Sequence, residues 1–400
     1  MPVDTSIFHD DFQSLHAEMQ AWRRHLHQFP EMAFEEHLTA TFIADKLKLF
    51  GLDVHQGLGG TGVVATLTAG SASKRIALRA DMDALPIAEQ NDLPYRSQHE
   101  GRMHACGHDG HSAMLLGAAK YLAQHPDFDG TVCFIFQPAE EVMGGAARMM
   151  DDGLFEQFPV DAVYGLHNFP DIPAGHFAAK AGALMASFDT FEINIHGRGC
   201  HAAIPHQGHD PLLAASQLVV ALQSIVSRNI APQQSAVVSV TQLHGGNSWN
   251  AIADHAQLRG TFRCLNETVQ QQIKQRIEQI AVDLCSAMGV RAEVAFNPGM
   301  VPYPPTVNAP DETAQALAVA AKLVGEAQVN RNPQPSMGAE DFAFMLQQKP
   351  GCYIWLGGGT AKTEGLLHHP RYDFNDDILP LGAAYWISLV ESLLNPSGQA

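Results

Sequence analysis

Three short apolar runs in the first half of the chain each end abruptly in polar chemistry, and that pattern narrows the fold more than any other feature. Lys74–Ala80 runs into Asp81-Met82-Asp83, Thr131–Phe136 into Gln137-Pro138-Ala139-Glu140-Glu141, and Ala162–Leu166 into His167. Runs of this length between helical patterns read as buried strands alternating with helices. Strands buried on both faces belong to a largely parallel α/β sheet with helices covering it. Such sheets keep their ligands just beyond the carboxyl ends of the strands. The polar residues named above therefore mark where a site is expected.

Between the first two of these strands lies His104-Ala105-Cys106-Gly107-His108-Asp109-Gly110-His111, with three histidines, a cysteine and an aspartate in one short stretch. Met114, Leu115, Ala118, Tyr121 and Leu122 follow at helical spacing, so the cluster sits on a loop entering a helix. Residues of this type on a backbone that can bend around an ion suit a metal. More ligand types come later. Cys106, His108, Glu141, His167 and His368 together offer one thiolate, three imidazoles and a carboxylate, a set suited to Zn²⁺, Mn²⁺ or Co²⁺. That is more than one tetrahedral ion needs, so two ions sharing a bridge is the economical reading, with Cys106 or a carboxylate as the bridge. A structural zinc site would show tight paired spacing; the wide spread in sequence favours catalysis. Glu140 adjoins Glu141. One carboxylate can bind metal while the other acts as a base, since water on a metal needs help losing its proton.

Gly57-Leu58-Gly59-Gly60-Thr61-Gly62 matches G-x-G-x-x-G, but Val63-Val64-Ala65-Thr66-Leu67 follows as a strand. A dinucleotide site needs a helix there, so the stretch is read as a turn between two strands. The net charge of −18 excludes a nucleic-acid surface and disfavours anionic membranes. Six scattered cysteines without C-x-x-C read as reduced thiols in a cytosol. The N-terminal stretch lacks the basic and apolar regions of a signal peptide, and no apolar run reaches the roughly 18 residues that a membrane span needs. A soluble, cytoplasmic protein is expected.

From Gly182 the texture changes. Phe188–His196 alternates, Pro211–Ser227 is an amphipathic helix, and Ala236–Leu243 and Ala256–Leu265 read as strands. A second helix, Val269–Met288, and a strand, Arg291–Phe296, complete a β-α-β-β-α-β order of the split ferredoxin-like kind. We expect an inserted domain over 182–298 within a discontinuous domain formed by 1–181 and 299–400, with Pro298–Pro310 as the return linker.

The segments Arg79–Pro86, His104–His111, Phe136–Glu141, Gly165–Asn168 and Gly338–Phe342 resemble those of the M20 metallopeptidase family. Within it they resemble the amidohydrolase branch (subfamily D) of hippurate hydrolases, N-acyl-amino-acid amidohydrolases and auxin-conjugate hydrolases. The resemblance implies a zinc-peptidase-like catalytic domain with a ferredoxin-like lid and dimerisation domain. It implies hydrolysis of N-acyl-L-amino acids to a carboxylic acid and a free amino acid, with two divalent ions (Mn²⁺, Zn²⁺, Co²⁺ or Ni²⁺). Cys106 would bridge them, His108 and His167 would complete one site, and Glu141 and His368 the other. The family's spacing to Pro370 selects His368 over His369. Glu140 would be the general base and acid. Many M20 peptidases carry His at the position of Asp81 and a bridging Asp at that of Cys106; the Cys–His version is that of the amidohydrolase branch. Asp83 and Asp109 would orient ligand imidazoles, with helix capping the alternative for Asp109. From the lid, His201 would stabilise the oxyanion in a partner's site, and Asn250 and Arg263 would hold the substrate carboxylate. The alternative for Arg263 is a salt bridge on an exposed strand face. A homodimer through the lid is implied, with a homotetramer as alternative. Competing functions are a dipeptidase or carboxypeptidase of the same family, an inactive metal- or peptide-binding relative, and a thiol enzyme with Cys106 as nucleophile.

Overall fold

Among the described residues eight strands form the main sheet, in the order Asp53–Leu58, Gly62–Ala69, Gly130–Gln137, Arg75–Asp81, Ala162–Phe169, Gly351–Gly357, Phe177–Ala178 and Val329–Asn330. The structure is a computed structural model that describes residues 12–141, 143–360 and 365–395. The four strands Gly130–Gln137, Arg75–Asp81, Ala162–Phe169 and Gly351–Gly357 run parallel. They are buried over nearly their whole length, which is why they read as continuous apolar runs. The Gly57–Gly62 stretch is the tip of an antiparallel hairpin, as its strand-like continuation predicts.

Helix His108–Gln124 is buried from His108 to Ala119 and shares one core with Phe12–Gln28 and Leu379–Leu393. A Cβ on Gly382 would lie 1.9 Å from Met114 Sδ, so the last helix can cross this close only on glycine. A helix gripped in this way holds the ligand cluster at its N-terminus rigidly. The N-terminal helices Phe12–Gln28 and His37–Leu49 are separated around Phe29–Pro30, where proline and the residue before it disfavour helix. The segment between them is docked on a strand end: Glu31 O accepts from Ala84 N at 2.8 Å, and Met32 bridges Ala84.

The chain divides into two units, the described residues of Met1–Leu184, Val307–Gln334 and Asp341–Ala400, and Met185–Thr306 with Pro335–Glu340. The second unit holds an antiparallel sheet in the order Ala236–Gly245, His255–Cys264, Asp189–His196, Arg291–Phe296. Helices Pro211–Leu222 and Glu267–Ala287 pack on it around Ile193, Leu218, Leu258 and Ile277. Asp210 and Asn266 cap them, each accepting two backbone N–H groups. The α/β class with a separate antiparallel insert is thus as the pattern predicts. Three details differ. The unit runs on to Thr306 and recruits 335–340, because Ala186 N donates to Ser336 O and Gly338 O across a long sequence gap. The first helix ends at Leu222 and continues as a π turn, Ile225–Asn229. The expected lack of any membrane-length segment also needs correction. Pro211–Asn229 spans 19 residues at mean hydropathy 1.2, long and apolar enough by length and composition, with one third of it buried. Its buried side, Ala214, Ala215, Leu218 and Leu222, faces the insert's own core, the usual source of such apolarity in a core-facing helix.

Beneath the ligand helix lies a buried ionic network. His27 Nδ1 meets Asp109 Oδ2 at 2.8 Å and His27 Nε2 meets Glu89 Oε1 at 3.3 Å, while Arg23 Nε donates to Asp376 Oδ1 at 2.7 Å. Burial opposes charge on His27, but its bonds to Asp109 and Glu89 win and push its pKa up to about 9. A raised histidine stabilises the fold fully below its unfolded value and stops doing so as pH rises through its folded value. We expect melting temperature to fall between about pH 6.5 and about pH 9, a loss on the order of 3 kcal/mol. In His27→Gln the fall over the same window should be shallower. Parallel pH–melting curves for the two proteins would refute this account.

Candidate metal centre and active site

Each functional side chain of the first unit comes from a strand end or the loop it feeds. Cys106 and Gly107 precede helix His108–Gln124, and Gly107 is in the left-handed region at φ 100°. A Cβ there would lie 2.2 Å from Asn168 Nδ2 and 2.8 Å from Tyr372 Oη, so only glycine fits between Cys106 and His108. Asn168 donates through Nδ2 to Cys106 O at 2.7 Å and accepts from Tyr372 Oη at 2.7 Å. His167 lies inside its strand, which runs on to Phe169, and not past its end as the apolar run suggests.

The donors converge. Cys106, His108 and Glu141 offer ligand atoms all within 4.8 Å of one another, and so do Asp81, His108, His111 and His167. Cys106 Sγ lies 3.3 Å from His167 Nε2, and His368 Nε2 lies 3.1 Å from Glu141 Oε1. His369, the alternative in sequence, instead accepts from Arg371 N through its Nδ1 at 3.1 Å. His368 is held at φ 64°, a conformation uncommon for a side-chain-bearing residue, and its N–H donates to Ala105 O at 2.7 Å. Glu140 is buried and close enough to Cys106 to raise its pKa.

Hydrogen bonds decide which imidazoles keep a lone pair for a metal. His108 Nδ1 donates to Asp83 O at 2.9 Å and Asp83 Oδ1 at 3.2 Å; its buried Nε2 has no hydrogen-bond partner. His167 Nδ1 donates to Asn168 O at 2.6 Å, leaving the Nε2 lone pair beside Cys106. A ligand histidine whose other nitrogen donates to carbonyl or carboxylate is the usual metal arrangement. His111 is different. Asn168 N–H donates to its Nε2 at 2.9 Å, and its Nδ1 donates to Asp81 Oδ1 at 2.6 Å. Both ring nitrogens are spent, so His111 drops out of the ligand set despite its position. Asp81 is spent too, since Oδ2 accepts from Arg79 Nη1 at 2.7 Å.

Electrostatics fits a cation at this place. Burial first, then Glu141, Glu140 and Asp81, pushes the Cys106 thiol well above its ordinary value. Burial lowers His108, but Asp81 and Asp83 outweigh it and raise its pKa to about 10. Burial holds His167 neutral, well below the usual histidine range. A divalent ion held here would supply positive charge that favours the thiolate form of Cys106 and the unprotonated Nε2 of His108. Among the described residues His108 Nε2 is buried without a hydrogen-bond partner, which is costly unless something else binds it, and Glu141 Oε1 beside it meets only His368 Nε2 and the Cys106 thiol. The residues present therefore fit a metal centre.

Asp83 meets His108 Nδ1 through Oδ1 at 3.2 Å, and its Oδ2 accepts from Glu141 N at 3.0 Å, so one carboxylate braces two candidate ligand loops. Asp109 does not touch a ligand imidazole. It pairs with His27 and accepts from Gly110 N at 2.9 Å, because helix Phe12–Gln28 brings a buried imidazole to it. Sequence reasoning took His111 only as one of the histidines of a metal-suited cluster and Asp81 only as a carboxylate past a strand end, gave Asn168 no role of its own, and passed over Tyr372 and Glu36. Residue type alone does not say which neighbour each one bonds.

In the second unit, strand Cys200–His201 pairs with Ala251–Ile252, His201 facing Ala251, and just past this short ladder Ala202 N donates to Asn250 O at 2.9 Å, which brings Asn250 close to His201. His201 is exposed and its Nδ1 accepts from Ala203 N at 3.0 Å, which leaves the proton on Nε2. Arg263 is half-buried. Its guanidinium lies 4.9 Å from the Phe188 ring centre and Nη1 donates to Met337 O at 3.2 Å, in place of the surface salt bridge weighed above.

Comparison with known proteins agrees with this geometry. Residues 77–392 match the model of peptidase family M20/M25/M40. The chain is 43% identical to a hippurate hydrolase of Campylobacter jejuni, over 94% of this chain and 96% of the relative. It is 42% identical to an N-acetyl-L-cysteine deacetylase of Bacillus subtilis, over 94% and 88%. Its fold superimposes at TM-score 0.83, with 34% identity over 96% and 99% of the two chains, on the Bacillus subtilis YxeP protein, described as a dinuclear metal binding peptidase from the M20 family. The chain belongs to family M20, as an amidohydrolase that acts on amide bonds.

Proposed function

We propose that the protein hydrolyses N-acyl-L-amino acids to a carboxylic acid and a free amino acid, using two divalent ions. The observation that carries this reading is the convergence of Cys106, His108, Glu141, His167 and His368, with buried Glu140 beside them. Cys106, His108, His167, Glu141 and His368 would hold the two ions. When bound, such ions act as Lewis acids that polarise a carbonyl and make water acidic. Glu140 takes the water's proton and hands it to the leaving nitrogen, so amine departs instead of amide anion. The Nε2–H of His201, from the insert of a partner subunit, donates to the oxygen where negative charge develops. Asn250 and the planar fork of Arg263 hold the substrate carboxylate.

The Mn²⁺, Zn²⁺, Co²⁺ or Ni²⁺ ion used in the cell, action in the cytosol and a homodimer formed by the insert belong to the same proposal. The dimer is supported by exposed Leu213, Val220 and Leu243 in the insert and by its edge strand Ala236–Gly245. A thiol-nucleophile mechanism is disfavoured, because the surroundings push the Cys106 thiol up, whereas a nucleophilic cysteine needs its pKa lowered.

The test is hydrolysis of hippurate, N-acetyl-methionine, N-acetyl-cysteine and an indole-acetyl amino acid, before and after EDTA, with Mn²⁺ or Zn²⁺ restored. Activity lost to chelation and returned by metal is the expected result, and the panel ranks the acyl groups. Cleavage of unblocked dipeptides alone would replace this reading with the dipeptidase one. Full activity in a protein shown to be metal-free would overturn both.

A further inference from the structure

Glu36 immediately precedes helix His37–Leu49, in the position where a carboxylate would ordinarily cap its own helix. It does not. The carboxylate of Glu31 accepts from Leu38 N at 3.2 Å and Thr39 N at 2.8 Å, while Glu36 makes no side-chain capping bond. The Glu36 side chain is fully buried and turned elsewhere. Its Oε1 accepts from Ala139 N at 2.9 Å, and its Oε2 accepts from Thr61 Oγ1 at 2.6 Å.

Both partners are informative. Ala139 precedes Glu140-Glu141 and sits in the left-handed region at φ 52°, a conformation that is strained for a residue with a Cβ. In an extended strand, adjacent residues face opposite sides; the left-handed turn at Ala139 takes the chain out of that geometry just past strand Gly130–Gln137 and sets the path on which Glu140 and Glu141 follow. The turn is pinned from its other side, where Ala139 O accepts from Gly145 N at 2.9 Å. A Cβ on Gly145 would lie 1.7 Å from Pro138 O, so that approach is open only to glycine. Thr61 is the buried hydroxyl at the tip of the glycine-rich hairpin, and it gives that motif a purpose that its resemblance to a nucleotide loop does not. Three separate segments thus meet on one carboxylate whose single backbone contact to the active-site loop is at the residue before the base.

We propose that Glu36 is a positioning residue for the reaction: it clamps Ala139 in the left-handed turn that turns Glu140 and Glu141 into the same site. The proposal rests on the functional reading above. Its role is carried by hydrogen-bond acceptance at Ala139 N. Glutamine can reproduce this, since its oxygen accepts from Ala139 N while its NH₂ donates to the rotatable hydroxyl of Thr61. Alanine leaves the buried Ala139 N–H unsatisfied and the turn unclamped.

The experiment compares full-length wild type with Glu36→Ala, Glu36→Gln and Thr61→Val. The readouts are melting temperature, kcat and KM on the best N-acyl amino acid, and the visible absorption of the Co²⁺-loaded protein. Glu36→Ala should lower kcat about 100-fold, as a small misplacement of a proton-transfer group does. KM should stay within roughly twofold, which a general loss of structure would not produce. Its cobalt spectrum should shift, because Glu141 moves with Glu140. Glu36→Gln should keep kcat within about threefold of wild type and keep its spectrum. Thr61→Val should fall between the two. Wild-type kcat and spectrum in a folded Glu36→Ala would overturn the proposal. So would a Glu36→Gln protein as impaired as Glu36→Ala, which would transfer the effect to charge. If Glu36→Ala does not fold, Glu36→Gln and Thr61→Val decide alone: an impaired Gln variant beside an unaffected Val variant overturns the clamp. A wild type inactive on every N-acyl amino acid would sink the functional reading only, since the cobalt spectrum reads the same geometry without substrate.

Discussion

Replacing Glu140 with Gln is expected to lower kcat by about 10²–10⁴-fold, the range by which a positioned general base contributes. Gln keeps the size of the side chain and most of its hydrogen bonding but cannot take a proton from water or deliver one to the leaving nitrogen. The proposed ligand atoms Cys106 Sγ, His108 Nε2, Glu141 Oε1, His167 Nε2 and His368 Nε2 are untouched, so metal content and melting temperature should match wild type. KM should change little, because the lost interaction belongs to the transition state. Elemental analysis beside steady-state kinetics checks both halves. A variant with half of wild-type turnover would remove Glu140 from the role of base, and one with lost metal would move it into the ligand set.

Removing the Asp83 carboxylate should act on the metal instead. In Asp83→Ala we expect metal affinity to fall about 10–100-fold, the usual effect of losing a group that orients ligands. One oxygen accepts from His108 Nδ1 and the other from Glu141 N, so the substitution loosens ligands on two loops together. His108 keeps a bond to the Asp83 backbone carbonyl, which is why weakening is expected and not complete loss. Asn is no rescue here: its NH₂ must face one of two donors, either His108 Nδ1–H or Glu141 N–H. Titration against a competing chelator measures the affinity, and activity should return at raised metal concentration. Unchanged affinity in both variants would show that the ligands hold their geometry without Asp83.

The parallel sheet was legible because burial on both faces leaves a continuous apolar strand, as in Cys133–Phe136. The insert was legible because one-sided burial leaves alternation, as in Asp189–His196. The short strands Phe177–Ala178, Val329–Asn330 and Cys200–His201 escaped notice. Two residues carry no periodicity, and pairing partners far along the chain define them. The far boundary of the insert was missed for the same reason, since residues 335–340 join it through backbone hydrogen bonds that no side-chain pattern encodes.

By itself, the sequence determined the chemistry on offer: a thiol, imidazoles and paired carboxylates at strand ends, and a glycine-rich hairpin in place of a nucleotide loop. Residue type and local periodicity suffice for that, because ligand softness and strand burial are properties of short segments. The tertiary structure alone decided how each polar atom is used. His111 lies three residues from His108 and differs from it only in its partners, Asn168 N and Asp81, which spend both of its nitrogens. Asp109 is one residue from His108 yet serves His27, and Glu36 stands 103 residues from the turn that it holds. A buried donor or acceptor must be satisfied by whatever the fold brings within about 3 Å. That neighbour is chosen by packing across the whole chain, so the allocation of lone pairs, and with it the division between metal ligands and the groups that orient them, exists only in the folded molecule.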